Sequence, residues 1–200
     1  MRQVTGRSCK NSDTKASIRL AMGGRFFSAS LLENVAESGD VLVRVYTSRT
    51  TLLPSEVKNS ISAEQALSIT GQAVQDTEIA VYSETVDGRC AAVALSKDAY
   101  TALSEALEGR AKITSPLLDT THSGEKCLAV EIADSVAYLR LYNNGLRLAE
   151  ALKIESADEF LYYVAEIFKT LDVAIDTPIY IIGDSKLSKL LKKYYRVVCE

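Results

Sequence analysis

The last 75 residues of this 200-residue chain carry the pattern that most restricts its fold. Three strand-like runs precede an amphipathic helix, a fourth strand and a second helix, at residues 126–133, 136–142, 146–154, 157–171, 179–182 and 186–195. Asn143, Asn144 and Gly145 separate the second and third runs, and Asn-Gly is the preferred chemistry of a type I′ hairpin turn. This βββαβα order predicts antiparallel strands to which a parallel strand is added through a helix.

The helices of this segment have recognisable starts and apolar faces. Ser156 and Glu159 predict a capping box at the start of the first helix, whose apolar residues recur at helical spacing. Ser185 is predicted to cap the second helix. The buried stripe of that helix is expected to consist of Leu187, Leu190, Leu191 and Tyr194.

The first half of the chain predicts a similar plan with additional hairpin material. Gly23 and Gly24 separate the apolar runs 16–22 and 25–32, and paired glycines suit a tight turn, so we expect a hairpin there. Pro54 is expected to start a helical turn. The remaining strands are predicted at 41–46, 78–84, 89–95 and 113–118, and the helices between Ser62 and Gly71 and at 97–107.

Composition narrows the class of protein. The formal charge of −3 gives no electrostatic reason to expect nucleic acid as a partner. Four cysteines stand far apart, at positions 9, 90, 127 and 199, which suits reduced thiols of a cytoplasmic protein. Residues 1–15 lack the apolar core of a signal peptide, and no run approaches the roughly 20 residues that cross a bilayer, so membrane insertion is not expected.

The segment 119–125, DTTHSGE, predicts the boundary between two domains. Short polar residues cluster there and the apolar periodicity stops. The segment is too short for a flexible linker. We therefore expect domains at 1–120 and 121–200 that pack against each other.

The stretches LRLYNNGLRLAEALKIESADEFLYYVAEIFKTLDV and IYIIGDSKLSKLLKKYY resemble an uncharacterised family from Bacteroidetes. Its members look like shortened actin-like ATPase-fold proteins, and SIRLAMGGRFFSAS and LLPSEV extend the resemblance into the first half. The resemblance implies an α/β (α+β) fold with two ribonuclease-H-like lobes across a cleft. Each lobe would be a mixed sheet of antiparallel strands with a parallel strand added through a helix. No activity is implied, because the family has none assigned.

In actin-like ATPases two hairpin turns hold the phosphates, carboxylates hold a hydrated Mg²⁺, and a glycine-containing turn receives the adenosine. The resemblance places these three turns at Gly23 and Gly24, at Asp134 and Ser135, and at Gly183 and Asp184. The first turn lacks the metal-binding aspartate of actin-like ATPases. The second lacks glycine, so its Cβ atoms would crowd a phosphate.

Each of these turns also has a simpler structural interpretation. Gly23 and Gly24 suit a tight hairpin, Asp134 and Ser135 suit a turn that bonds its own backbone, and Gly183 and Asp184 suit a strand end with a helix cap. Asp134 is the only carboxylate left near the expected phosphates. We therefore predict neither a cofactor nor a metal, and keep ATP with Mg²⁺ as the alternative.

Other catalytic patterns are absent from the sequence. His122 is the only histidine, and its polar surroundings predict a solvated loop residue, so a nucleophile–histidine relay and a metal site both lack their usual partners. There is no GxxxxGK[ST] and no GxGxxG motif. No catalytic residue is predicted.

Two surface features suggest interactions. Lys189 and Lys192 belong to a basic group on the exposed side of the last helix, with Lys186, Lys193 and Arg196. Such residues suit phosphate contacts or, more simply, the dipole and solubility of a helix. Tyr162 is predicted to point away from the core, and exposed tyrosine is enriched at interfaces.

Three functional hypotheses follow. The first is a degenerate, non-catalytic actin-like protein that acts through a protein partner or self-association. The second is an ATP-binding protein, an ATPase or a small-molecule kinase, with substituted metal ligands. The third is nucleic-acid binding through the basic group, although the chain lacks the clustered carboxylates of a two-metal nuclease.

Overall fold

The computed structural model describes residues 18–32 and 39–199. The polar segment 1–15 and Cys9 lie outside the described residues, as does the start of the strand predicted at 16–22. Among the described residues, two large hydrophobic cores form, one in each half of the chain. We call residues 18–118 the N-terminal lobe and 127–199 the C-terminal lobe. That each lobe is a domain, with a boundary between residues 120 and 121, stays a prediction.

The N-terminal lobe contains two three-stranded sheets. Its elements are β1 (Ile18–Gly23), β2 (Val41–Tyr46), β3 (Thr50–Pro54), α1 (Ala63–Ile69), β4 (Glu78–Tyr82), β5 (Arg89–Ser96), α2 (Lys97–Ala106) and β6 (Ala111–Thr114). One sheet is parallel, in the order β1-β2-β6, and the other is antiparallel, in the order β3-β5-β4. Short 3-10 helices cover Ala29–Leu32, Ser55–Asn59 and Pro116–Leu118. The sequence pattern did not predict β3.

The hairpin predicted around Gly23 and Gly24 is wrong. β1 pairs in parallel with β2, and residues 25–32 form no strand. Neither glycine has the left-handed φ that the predicted turn requires. Instead the Gly24 amide donates to the Tyr46 carbonyl, and the Gly24 carbonyl accepts from Ser96. These two long-range bonds hold the end of β1 against β2 and β5, so the chain leaves the sheet there.

The C-terminal lobe follows the predicted order of elements. They are β7 (Cys127–Ala133), β8 (Val136–Tyr142), β9 (Leu146–Lys153), α3 (Ala157–Thr170), β10 (Ile179–Ile182), α4 (Ser185–Leu191) and β11 (Val197–Cys199). They form one mixed sheet in the order β11-β10-β7-β8-β9, with β7, β8 and β9 antiparallel and β10 parallel to β7. The helices cover the face that carries Leu128, Leu139 and Ile181. The mixed α/β fold class is confirmed, and β11 is an additional strand.

Three helix-end predictions need correction. Asp184, and not Ser185, caps α4. Ser156 accepts from the Glu159 amide as predicted, but the Glu159 carboxylate accepts from the amide of Glu155, one residue before the cap. Tyr194 is 58% exposed, because α4 ends at Leu191 and its helical spacing does not continue. No helix in the described part of the chain is long and apolar enough to cross a membrane.

Candidate functional site

The three turns that the resemblance assigns to a nucleotide lie around two cavities that share Asp134. One cavity of about 460 Å³ and another of about 390 Å³ open beside this side chain. Together they are lined by all six predicted residues, Gly23, Gly24, Asp134, Ser135, Gly183 and Asp184. The predicted positions therefore converge in space, and binding of a ligand by them stays a prediction.

The space beside the three glycines is already occupied by other protein atoms. A Cβ on Gly183 would lie 2.1 Å from the carbonyl oxygen of Ile132, and the φ of Gly183 is +110°. A Cβ on Gly24 would lie 2.8 Å from the Cβ of Thr47. Glycine is required at these points because the protein packs closely on itself. These glycines do not open a cradle for a phosphate.

The two cavities also offer few carboxylates that could bind a metal ion. Asp184 Oδ1 accepts hydrogen bonds from the amides of Lys186, at 2.7 Å, and Leu187, at 3.0 Å. Asp134 and Ser135 both have left-handed backbones, with φ of +50° and +62°, as a type I′ hairpin turn requires. Asp134 is thus the one carboxylate lining these cavities that caps no helix. The residues present do not fit a metal-bound triphosphate.

A second acidic group lies close by, inside the contact between the lobes. Glu131 on β7 forms an ion pair with Arg44 on β2, and the Tyr46 hydroxyl donates to the other carboxylate oxygen of Glu131 at 2.8 Å. Burial and the Glu131 hydrogen bond raise the pKa of Tyr46 to about 12. Burial acts to lower the pKa of Arg44, but the charge of Glu131 together with Tyr46 and Asp119 outweighs it, so the pKa is raised. Both oxygens of Glu131 are therefore engaged by the N-terminal lobe.

Asp119 extends this contact to a second arginine. Its Oδ2 lies 3.1 Å from Nη1 of Arg44 and 3.8 Å from Nη1 of Arg140. Burial acts to raise the pKa of Asp119, but hydrogen bonds from Thr121 and the charges of Arg140 and Arg44 hold it well below its usual range. We call Arg44, Tyr46, Asp119, Glu131 and Arg140 the inter-lobe network.

Aromatic packing reinforces the same contact. Tyr138 is fully buried, and its hydroxyl donates to the carbonyl of Thr47 across the lobes at 3.2 Å. The ring of Tyr46 meets that of Tyr138 edge-on, with centroids 5.8 Å apart. Leu117 and Val136 complete this small buried cluster. The lobes are joined here by apolar burial as well as by charge.

The inter-lobe network was missed at the sequence level, although a signal for it exists. Each of three apolar strands carries one charged residue in its interior: Arg44 in VLVRVY, Glu131 in CLAVEIA and Arg140 in VAYLRLY. Charges are rarely buried unless they are paired. Opposite charges inside separate apolar strands therefore indicate that those strands meet, but the pattern does not say which residues pair.

His122 is not the solvated loop residue that the sequence predicts. It is 8% exposed, and its ring stacks on that of Tyr180 from β10, with centroids 4.2 Å apart and planes 14° from parallel. Its Nδ1 lies 3.1 Å from Oε1 of Glu125. Hydrogen bonds from Tyr180 and then from His122 lower the pKa of Glu125. The tertiary contact with β10, which no local pattern reveals, buries this histidine.

Cys127, the first residue of β7, joins this group. One ligand-type atom each from His122, Glu125 and Cys127 lie within 4.8 Å of one another. We call these three residues the connector cluster, since they lie at the end of the segment between the lobes. The sequence pattern did not predict these two ligand-type neighbours of the lone histidine, and the expectation that no metal binds stays a prediction.

The predicted interaction residues are all at the surface. Tyr162 is 62% exposed on α3, with the ring of Tyr163 at 6.2 Å. Lys189 on α4 and Lys192, directly after its end, are exposed, and they line a small cavity of about 210 Å³ that also includes Gly183 and Asp184. The structure thus brings these lysines beside the predicted adenosine turn. Interaction through any of these residues stays a prediction.

Comparison with solved structures identifies the architecture. A Bacteroides thetaiotaomicron VPI-5482 protein with an actin-like ATPase fold and unknown function matches with a TM-score of 0.69 and 19% identity, over 86% of this chain and 75% of that one. The cytoplasmic domain of EpsL, an inner membrane component of the type II secretion system of Vibrio cholerae, matches with a TM-score of 0.48 and 11% identity, over 92% and 85%. No protein-family model and no curated protein sequence matches. The first likeness shows that this chain has the actin-like ATPase fold, as the resemblance implied.

Proposed function

We propose that this actin-like protein is a non-catalytic module that acts by binding another protein or a second copy of itself. The observation that carries the proposal is the engagement of Glu131. In this contact between the lobes, a carboxylate that would suit a cation is held by Arg44 and by the Tyr46 hydroxyl. A buried carboxylate paired in this way is not free to bind a hydrated metal ion.

The contacts that tie the two lobes together support the same proposal. An actin-like enzyme that binds a nucleotide between its lobes needs a cleft that admits it. Here ion pairs and the buried Tyr138 tie the lobes together, and the glycines beside the cavities are packed against protein. Because the two lobes are held together across the cleft, the fold suits binding a partner on its outer surface better than converting a ligand between the lobes.

The surface that we propose for the partner is the outer face of α3 around Tyr162. This side chain exposes a large amphipathic ring opposite the buried face of the helix, next to Tyr163. Tyrosine supplies much contact area at little cost in conformational entropy. Lys189 and Lys192 form a second, basic surface, for which an acidic protein surface is the natural complement.

ATP binding is the alternative, and one observation favours it. Arg25 and Lys153 line one of the two cavities that share Asp134, and Lys186 lines the other. These cations would attract a polyanionic ligand even without a metal ion. Under this alternative the protein would be an ATPase or a small-molecule kinase with substituted ligands.

A thermal-shift titration with ATP and Mg²⁺, run beside an ATP-hydrolysis assay, separates the two. The proposal expects an unchanged melting temperature and no hydrolysis. A site filled to 100 times its dissociation constant would instead stabilise the fold by about 2.7 kcal/mol. Stabilisation of this size that is lost in Asp134→Asn would establish the alternative.

The partner surface is tested with two tyrosine variants of similar exposure. Tyr162→Ala is expected to reduce self-association in light scattering, or capture of a partner in pull-downs. Tyr194→Ala, which removes a ring that is 58% exposed in the turn after α4, is expected to leave both unchanged. Unchanged association in Tyr162→Ala would remove this surface from the proposal.

We also propose a cytoplasmic location without nucleic acid as a partner. The free thiols of Cys90 and Cys199 and the formal charge of −3 support this. Salt-sensitive DNA or RNA binding that disappears when Lys189 and Lys192 are both changed to glutamate would contradict it.

A further inference from the structure

From the geometry of the connector cluster we infer that His122, Glu125 and Cys127 form a binding site for a zinc-type divalent transition metal ion. This site is separate from the cavities around Asp134, and it does not depend on the function proposed above. An imidazole nitrogen, a carboxylate oxygen and a thiolate sulfur are the three kinds of protein ligand that zinc takes. The thiolate disfavours Mg²⁺ and Ca²⁺, which prefer oxygen.

The spacing of the ligand atoms is close to that of a tetrahedral centre. Tetrahedral zinc separates its nitrogen and oxygen ligands by about 3.3 Å, and sulfur from either by about 3.6 Å. His122 Nδ1 and Glu125 Oε1 are 3.1 Å apart, and the three ligand atoms lie within 4.8 Å. A side-chain movement of about 1 Å therefore brings all three to metal-binding distance.

The surroundings hold the first ligand in place. Tyr180 stacks on the His122 ring and so restricts the orientation of the imidazole. The segment that carries His122 begins at Asp119, which bonds the amide and hydroxyl of Thr121 and pairs with Arg44. It ends where the Leu128 amide donates to the Pro178 carbonyl, next to β10. Such anchoring reduces the entropy lost when a metal binds.

The cluster has an exposed side at Glu125. The thiol of Cys127 is buried and His122 is 8% exposed, but the Glu125 side chain is 46% exposed. A metal ion can therefore enter from the Glu125 side and keep a water molecule as its fourth ligand. Binding replaces the hydrogen bonds that Glu125 accepts from Tyr180 and His122, and it releases the Cys127 thiol proton to solvent.

The test uses the tag-free 200-residue chain, stripped with a chelator and titrated with Co²⁺ and then with Zn²⁺. We expect one equivalent of Co²⁺ to produce thiolate-to-cobalt charge-transfer absorption, which Zn²⁺ abolishes by displacement. Cys127→Ser should lose this absorption, and Glu125→Gln and His122→Gln should weaken binding at least about tenfold. Cys90→Ser and Cys199→Ser are the matched controls and should retain it.

Zn²⁺ should also raise the melting temperature of the unmodified chain by at least about 3 °C, and Mg²⁺ should leave it unchanged. Glu125→Gln, whose side chain is exposed, should fold normally and lose the Zn²⁺ shift. The inference is overturned if the unmodified chain binds neither metal, or if the Co²⁺ absorption persists in Cys127→Ser. A Zn²⁺ shift of full size in Glu125→Gln would overturn it as well, whatever the fate of the less conservative variants.

Discussion

The inter-lobe network and the connector cluster both gather polar side chains where the lobes meet, but they balance charge differently. In the network the carboxylates of Asp119 and Glu131 face the guanidinium groups of Arg44 and Arg140. In the cluster a carboxylate, an imidazole and a thiol direct their ligand atoms toward one another. The first group supplies its own cations, whereas the second suits a cation from outside.

Asp119 links the two regions. One of its carboxylate oxygens pairs with Arg44, and the other accepts from Thr121 in the segment that leads to His122. The same residue therefore ties the lobes together and positions the connector. The comparison teaches that one junction of this fold pairs its carboxylates with arginine, while another brings metal-type ligands together.

The largest effect is expected from Arg44→Met, which removes the guanidinium group at the centre of the inter-lobe network. It leaves Glu131 without its cation inside the contact, and removal of one partner of a buried pair costs about 3–5 kcal/mol. Denaturant unfolding measures this loss as a fall in the midpoint. Arg147→Met, at an exposed arginine on β9, should change stability by no more than about 0.5 kcal/mol.

An equal loss of stability in both arginine variants would show that the inter-lobe network stabilises the fold no more than an exposed arginine does. A loss below about 1 kcal/mol in Arg44→Met would have the same meaning, and Glu131 would then have to be treated as an available ligand. Either result would make the contact between the lobes around Glu131 a possible metal site.

A smaller effect is expected from Gly183→Ala, which tests how tightly the cavity wall is packed. Gly183 and Gly145 share a φ of +110°, but a Cβ would meet the Ile132 carbonyl at Gly183 and nothing within 4 Å at Gly145. Gly145→Ala therefore measures backbone strain alone, at about 1–2 kcal/mol. Gly183→Ala should lose about 2 kcal/mol more, because the wall must shift.

Similar losses in the two alanine variants would contradict the packing argument for Gly183. The wall would then yield easily, and room for a phosphate beside this turn would have to be reconsidered. Melting temperatures of the two variants, compared in one experiment, are sufficient for this decision.

Much of the C-terminal lobe could be predicted because its signals are local. Alternating apolar residues, the Asn144–Gly145 turn and the Ser156 cap each lie within the element that they define, and β8 and β10 were placed to the residue. The N-terminal hairpin failed because Gly24 bonds to Tyr46 and Ser96. These are tertiary contacts, and the glycine pair gives no sign of them.

The same distinction applies to the candidate sites. The convergence of Gly23, Asp134 and Gly183 could be predicted, because the resemblance implies the arrangement of the turns. The burial of His122 could not, because it depends on a ring from β10. Pairing of Arg44 with Glu131 depends likewise on how two sheets meet, which no spacing along the chain specifies.

The smallest effect, on the order of 1–2 kcal/mol, is expected from the acid titration of Asp119. Its pKa is lowered in the folded protein, so the folded state binds fewer protons on this group than the unfolded state does. The stabilisation is therefore complete above the unfolded pKa of about 3.9 and is lost as the pH falls through that range and below. Asp119→Asn should reduce stability near pH 7 and flatten the decline between about pH 5 and pH 3.

Asp158→Asn, at an exposed carboxylate in the first turn of α3, is the control and should keep the acid decline of the unmodified chain. Unfolding free energies at several pH values give both curves. If Asp119→Asn flattened the decline but left Zn²⁺ binding intact, the network and the connector cluster would be energetically separate, because Asp119 would then act on only one of them. Parallel loss of both would show that the anchor at Asp119 couples the joint between the lobes to the metal-type ligands.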